Sequence, residues 1–329
     1  MSMKFSVKSE FEFIEKIRRR YKLSKIGDDC AVLPKDSKTD LVISTDLLIE
    51  DIDFRLDWAK PNFIGHKAAA VSMSDVAAMG AKPVWAMLSI GVPHKIWKTD
   101  FVEKFYDGYF RLTKKFFVEI VGGDISKTPD KIVIDSIVAG EVIRGKAILR
   151  STARCGDFIY VTGSLGGAAA GLTLLENGVR YDDAAKVWQR NLLLKQLSPL
   201  PQIYAAQYLT EKNAATAMID LSDGLSSDLA HLCRASKVGA EIFADKIPIH
   251  KNLRAIGKSL DEKLDYALNG GEDFELLFTV NPKKKFQFEN ELKNLNFSHI
   301  GEMTANVEII ELILDEKRLI LEPKGFRHF

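Results

Sequence analysis

A chain of 329 residues, 46% of them hydrophobic, is long enough for two domains with buried cores. Its formal net charge of +1 argues against a nucleic-acid or membrane surface as main partner. With no apolar run of bilayer length and no signal-peptide-like start, the expected location is the cytoplasm. Cys30, Cys155 and Cys233 lie far apart, in no paired metal spacing, and read as reduced and structural.

Residues 9–20 predict a short amphipathic helix with Phe11, Ile14 and Ile17 on one side. Gly27-Asp28-Asp29 then opens into the apolar run Cys30–Leu33; taken alone, it is ordinary turn chemistry. The next strand, Leu41-Val42-Ile43, is expected to end in Ser44-Thr45-Asp46. Oxygen-bearing side chains there suit a helix cap or a hard-cation site.

The stretch GHKAAAVSMSDVAAMG, Gly65 to Gly80, predicts a helix stopped by Gly80 and followed by Pro83. It is small or apolar almost all round, and so should be buried and closely packed. Asp75 stands in its middle, beside Val71, Ser72, Ala78 and Met79 at helical spacing. A carboxylate there is costly unless neutralised, by a nearby Lys or Arg or by membership of a charged site.

Val84–Val92 reads as a strand and Trp97–Phe116 as a helix. Phe117–Val121 is a strand running into Gly122-Gly123-Asp124, and Lys131–Val142 another. This mixture gives an α/β or α+β first domain. The polar, basic stretch Ile143–Arg154 marks a boundary, with an N-terminal domain over 1–145 and a C-terminal one over 146–329. Asp157–Thr162 leads as a strand into TGSLGGAAAGL. That turn lacks the ending of a phosphate loop and the acidic residue of a dinucleotide fold. Its glycines therefore read as close helix–strand packing.

Helices follow near 183–194 and 199–209. Ala217–Ile219 enters Asp220-Leu221-Ser222-Asp223-Gly224, and a helix runs from Leu225 to Ala235. Gly239–Ala244 and Phe274–Val280 are strands, the second preceded by Asn269-Gly270-Gly271-Glu272-Asp273. The tail alternates a helix (283–294) with strands (305–321) before Lys324-Gly325-Phe326.

Asp28, Asp29, Asp46, Asp75, Asp124, Asp220 and Asp223 stand beside apolar or glycine sequence, outside any solvated charge run. If they converge, the few basic residues nearby do not neutralise them, and divalent cations must. Hard oxygen ligands without Cys or His suit magnesium, which usually shares its shell with substrate phosphates. The set thus predicts a metal–phosphate site for a nucleoside triphosphate. The competing reading is a scatter of caps and turns.

In order, GDDCAVL, STDLL, GHKAAAVSMSDVAAMGAKP, GGD, IDLSDGLSSDL and NGGEDFELLFTV, with GEMTANVE and KGF, closely resemble the thiamine-monophosphate kinase family, within the aminoimidazole ribonucleotide synthetase superfamily. The resemblance implies a two-domain α/β (α+β) fold whose N-terminal sheet pairs across a homodimer. It implies ATP-dependent phosphorylation of thiamine monophosphate to thiamine diphosphate, by direct in-line transfer with several Mg2+ ions. It also implies metal ligation by Asp29, Ser44, Thr45, Asp46, Asp75, Asp124, Asp220 and Asp223. Gly123, Asp124, Arg150 and Ser222 would hold ATP, and Glu272 and Phe326 would contact the thiamine moiety.

No general base is assigned, because the acceptor phosphate is already anionic. Arg150 offers a planar fork to phosphate oxygens, and the amides at Gly224 offer a helix start to a further one. The chain departs from the family at Asp53-Phe54, where His before Phe is usual, and at Ile125-Ser126 after GGD. An anion at Asp53 repels a substrate phosphate unless a metal or Lys intervenes, and it is given no role. Two alternatives stand beside the kinase: another ATP-dependent synthetase of the superfamily acting on a different small molecule, and a non-catalytic nucleotide-binding homologue. The intact acidic set weighs against the second.

Overall fold

The computed structural model describes residues 10–256, 259–284, 296–315 and 317–326. Two mixed sheets organise them. The first runs β1 (Ala31–Pro34), β2 (Thr39–Ile49), β5 (Val133–Ile143), β3 (Lys82–Pro93), β4 (Glu119–Thr128), antiparallel except between β3 and β4. The second runs β12 (Lys317–Ile320), β11 (Ile310–Leu314), β8 (Gly239–Phe243), β10 (Phe297–Thr304), β6 (Phe158–Thr162), β9 (Leu276–Val280), β7 (Ala215–Asp220). It is antiparallel except between β11 and β8. This is the mixed α/β architecture expected. Among the described residues, no helix is long and apolar enough to cross a membrane.

The central helix, α2 (Pro61–Ala78), begins a turn before Gly65 because Pro61 takes a first-turn position, where a missing N–H costs nothing. It ends before Gly80, whose φ of +68° suits glycine. Small residues let α4 (Phe101–Lys115) approach it closely: a Cβ on Gly65 would lie 1.9 Å from the Phe105 carbonyl oxygen. Alternate residues of β2 and β3, Val42, Ser44, Leu48, Ala86 and Leu88, are buried on the side that α2 covers. The same helix touches β7 and α7 (Ile203–Glu211), so it lies in contact with both halves of the chain.

Several expectations change. β2 runs through Ser44-Thr45-Asp46 to Ile49 and does not end there, which removes the helix-cap reading. In place of the one helix expected over 97–116 there are two, α3 (His94–Trp97) and α4, parted at Lys98–Asp100. β4 continues through Gly122-Gly123-Asp124 to Thr128. β10 was not anticipated; a glycine and a register shift interrupt its alternation. Most of the expected helix over 283–294 lies outside the described residues.

The glycine-rich turn after β6 behaves as packing. α5 (Gly167–Glu176) starts at Gly166, whose N–H and that of Ala168 donate to the Asp273 carboxylate at 2.5 and 3.0 Å. A Cβ on Gly171 would lie 2.3 Å from the Leu192 carbonyl oxygen of α6 (Val187–Leu197). The helix start is thus filled by a carboxylate of the chain itself.

Candidate active site

Asp29 comes from the turn before β1, Asp75 from the middle of α2 and Asp220 from the end of β7; one carboxylate oxygen of each lies within 4.8 Å of the others. Among the described residues no Lys or Arg pairs with Asp75, so the ion-pair reading of that buried acid fails. Its carboxylate instead accepts a hydrogen bond from the Ser44 hydroxyl, and Asp220 accepts one from Ser74 Oγ at 2.6 Å. Burial, with neighbouring carboxylates adding to it, lifts Asp75 well above the usual range and pushes Asp220 up to about 8. Burial also pushes Asp46 up to about 6, and its Oδ2 is buried without a hydrogen-bond partner. Crowded hard oxygens, one of them unsatisfied, fit a divalent cation: its charge would let the group ionise and fill the empty contact.

Arg150, in the link between the sheets, grips Asp29 with both arms of its guanidinium, Nε at 2.9 Å from Oδ2 and Nη2 at 2.5 Å from Oδ1. Its main-chain N–H donates to Asp28 Oδ1 at 2.8 Å, while burial pushes Asp28 up to about 6. The fork expected to face phosphates is therefore satisfied by a carboxylate of the cluster. Asp28 serves the chain's own backbone.

Two expected ligands lie elsewhere. Strand alternation turns Thr45 away from Ser44, and its hydroxyl donates to Asp135 at 2.6 Å on the open face of the first sheet. Asp124 is exposed on β4, in register with Ser89, which is itself in register with Asp135. It shares that open face. Gly123 beside it lies against β3 so closely that a Cβ would sit 1.9 Å from the Leu88 carbonyl oxygen. The start of α8 (Leu225–Ser236) is also occupied. The buried Asp228 accepts from the N–H groups of Asp223 and Gly224 at 3.1 and 3.0 Å, so the amide reserved for a phosphate is filled. The sequence held the signal, an acid in the first turn of a predicted helix.

Beside the carboxylates opens a cavity of about 320 Å³. Asp46, Ser222 and Asp223 line it, as do apolar Trp58, Phe63, Leu172 and Leu175. Lys67, Glu272 and Phe326 complete the wall. Phe326 is half exposed, and its N–H donates to the Asp223 carbonyl at 3.2 Å. Glu272 sits at φ +67°, its carboxylate paired with Lys67 Nζ at 2.5 Å and accepting from the Gln196 side chain. Asp53 lines the cavity too, with Oδ2 accepting from the Ile49 N–H at 2.7 Å and its carbonyl accepting from Lys67 at 3.2 Å. Lys67 and Gln196 escaped the sequence reading. Lys67 was visible as a charge inside an apolar helix, the same anomaly that singled out Asp75.

Residues 27–142 match the family described as AIR synthase related protein, N-terminal domain, and residues 154–312 the corresponding C-terminal domain. The chain is 38% identical to the thiamine-monophosphate kinase of Buchnera aphidicola subsp. Schizaphis graminum (strain Sg), over 98% of this chain and 99% of that one. It is 38% identical to the thiamine-monophosphate kinase of Escherichia coli (strain K12), over 97% of this chain and 98% of that one. A solved structure of AaThiL complexed with AMPPCP and TMP superposes with a TM-score of 0.87 at 34% identity, covering 100% of both chains.

Proposed function

This chain belongs to the thiamine-monophosphate kinases of the AIR synthase related family, and from that premise we propose that it transfers the γ-phosphoryl group of ATP to thiamine monophosphate, giving thiamine diphosphate and ADP. The observation that carries the reading is the meeting of Asp29, Asp75 and Asp220 beside a cavity that is apolar along one part and acidic at Asp46 and Asp223.

Several magnesium ions held by Asp29, Ser44, Asp46, Asp75, Asp220 and Asp223 would, when bound, neutralise the charge of the phosphates. The rest is positioning. The acceptor phosphate needs no strong base, and the chain supplies none; it sets donor and acceptor in line and keeps bulk water from between them. We assign Arg150, whose fork also holds Asp29, to the ATP phosphates together with Ser222. Glu272 and Phe326 face the thiamine moiety from the cavity wall.

Thr45, held by Asp135, is left out of the ligand set. Gly123 and Asp124 serve ATP and metal in a homodimer, in which a second copy covers the open face of the first sheet. Support comes from the apolar side chains exposed on that face, Leu47 at 57% and Met87 at 39%. We assign residues 1–145 to metal and ATP binding and to dimerisation, and residues 146–329 to the domain that completes the site; the divide falls between β5 and β6.

The test is incubation with Mg-ATP and thiamine monophosphate, reading thiamine diphosphate by chromatography beside an Asp75→Asn variant. Product that is lost in the variant supports the reading. ATP binding by the wild type without product, even at high substrate, overturns it.

A further inference from the structure

Lys67 is only 5% exposed, yet among the described residues no metal-site carboxylate pairs with it; its ion-pair partner is Glu272, at 2.5 Å, and it also donates to the Asp53 carbonyl. Lys67, Val71 and Asp75 follow one another at four-residue spacing, so α2 presents them on one face. Lys67 and Asp75 stand about 12 Å apart along that face at the rise of a helix. The phosphoryl end of the site and the Lys67 end are thereby fixed on a single rigid element, with Val71 lining the cavity between them.

Around Glu272, the chain converges from three places. α2 contributes Lys67 to one carboxylate oxygen, α6 contributes Gln196 to the other, and the Glu272 N–H donates to the Ser222 carbonyl at 2.8 Å. The residue is held at φ +67°, a conformation that a side-chain-bearing residue keeps only where its surroundings over-determine it. The two partners are unequal: both line the cavity, but the Lys67 side chain is 6% exposed and the Glu272 side chain 32%, so the carboxylate is the more open member. Each of its oxygens keeps a further acceptor site.

We propose that Lys67, with Gln196 behind it, is a positioning residue for substrate recognition, locking Glu272 as an oriented, charge-balanced acceptor for a hydrogen-bond donor on the organic part of the substrate. This rests on the kinase reading above. A substrate then meets an acceptor whose rotamer is set before binding, and no lone anion is buried when the ring covers it.

Steady-state kinetics on Lys67→Met, Lys67→Arg and Gln196→Leu test it. The expected result for Lys67→Met is an increase of about tenfold or more in KM for thiamine monophosphate, with kcat and KM for ATP nearly unchanged. Lys67→Arg restores most of the loss, and Gln196→Leu moves the same KM in the same direction by a smaller factor. A folded Lys67→Met with unchanged KM for thiamine monophosphate overturns the proposal, as does a loss confined to kcat or shared equally by both substrates. Should Lys67→Met fail to fold, an unchanged KM in Gln196→Leu overturns it. Absence of product in the wild type, seen in the same assay, overturns the kinase reading itself and takes this role with it.

Discussion

Ser74 of the central helix donates a 2.6 Å hydrogen bond to Asp220 at the end of β7, so the acid next to Asp75 in space is held from the residue next to Asp75 in sequence. Both groups are buried. The bond joins the helix beneath the first sheet to an edge strand of the second, and it fixes how the two halves meet at the carboxylate cluster. Ser74→Ala removes the donor and leaves a buried carboxylate short of a partner. The expected cost is about 1–3 kcal/mol, read from urea unfolding of the metal-free protein. An unchanged midpoint would show that the halves are held together elsewhere.

Ser44 and Thr45 are neighbours in sequence on opposite faces of β2. Ser44→Ala is expected to weaken magnesium activation, because its hydroxyl is bonded to Asp75. Thr45→Val keeps the shape of the side chain and removes only the hydroxyl that Asp135 accepts from. It should leave the magnesium concentration for half-maximal activity within about twofold of the wild type. Magnesium titration of the two variants decides the matter; a larger shift in Thr45→Val than in Ser44→Ala would return Thr45 to the ligand set.

The carboxylates were legible because acids beside apolar sequence are costly, and that logic found Asp29, Asp75 and Asp220 together. It did not find orientation. Ser44-Thr45-Asp46 reads as one oxygen-rich motif, but the two-residue period of a strand that continues through it sends the middle member to the other face. Arg150 was legible as a phosphate-type fork, not as the partner of Asp29, since nothing local links positions so far apart in the chain. Long-range pairing hid the Lys67–Glu272 contact for the same reason, although the buried charge itself was in plain view in the helix. β10 was missed because Gly301 and a register shift break the alternation that reveals a strand.

Asp273 gives a pH dependence far from the metal cluster in sequence and chemistry. Burial pushes its carboxyl up from 3.8 to about 7, although the N–H groups of Ala168 and Gly166 favour the ionised form. The folded chain then binds a proton more tightly than the unfolded one. Its contribution to stability is complete below pH 3.8 and is lost as pH rises through about 7. Asp273→Asn removes the titration. The difference in unfolding free energy between wild type and variant should therefore drift against the wild type as pH rises across that window. Parallel curves for the two proteins would show that Asp273 does not titrate there.

Asp75→Asn should raise stability and abolish activity at once. In the metal-free protein, Asp75 is crowded by burial and by Asp46, Asp220 and Asp29, so an amide relieves repulsion while keeping the volume and an acceptor for Ser44. The melting temperature in EDTA is expected to exceed that of the wild type. Added magnesium should then reverse the order, because a cation that binds only the folded wild type stabilises it by mass action, and the variant has lost a ligand. Product formation should fall by roughly a hundredfold or more, as expected when charge stabilisation of a phosphoryl-transfer site is removed. Melting curves with and without magnesium, run beside the activity assay, check both halves. A variant less stable than the wild type in EDTA would mean that Asp75 holds the helix in place through Ser44 more than its charge strains it.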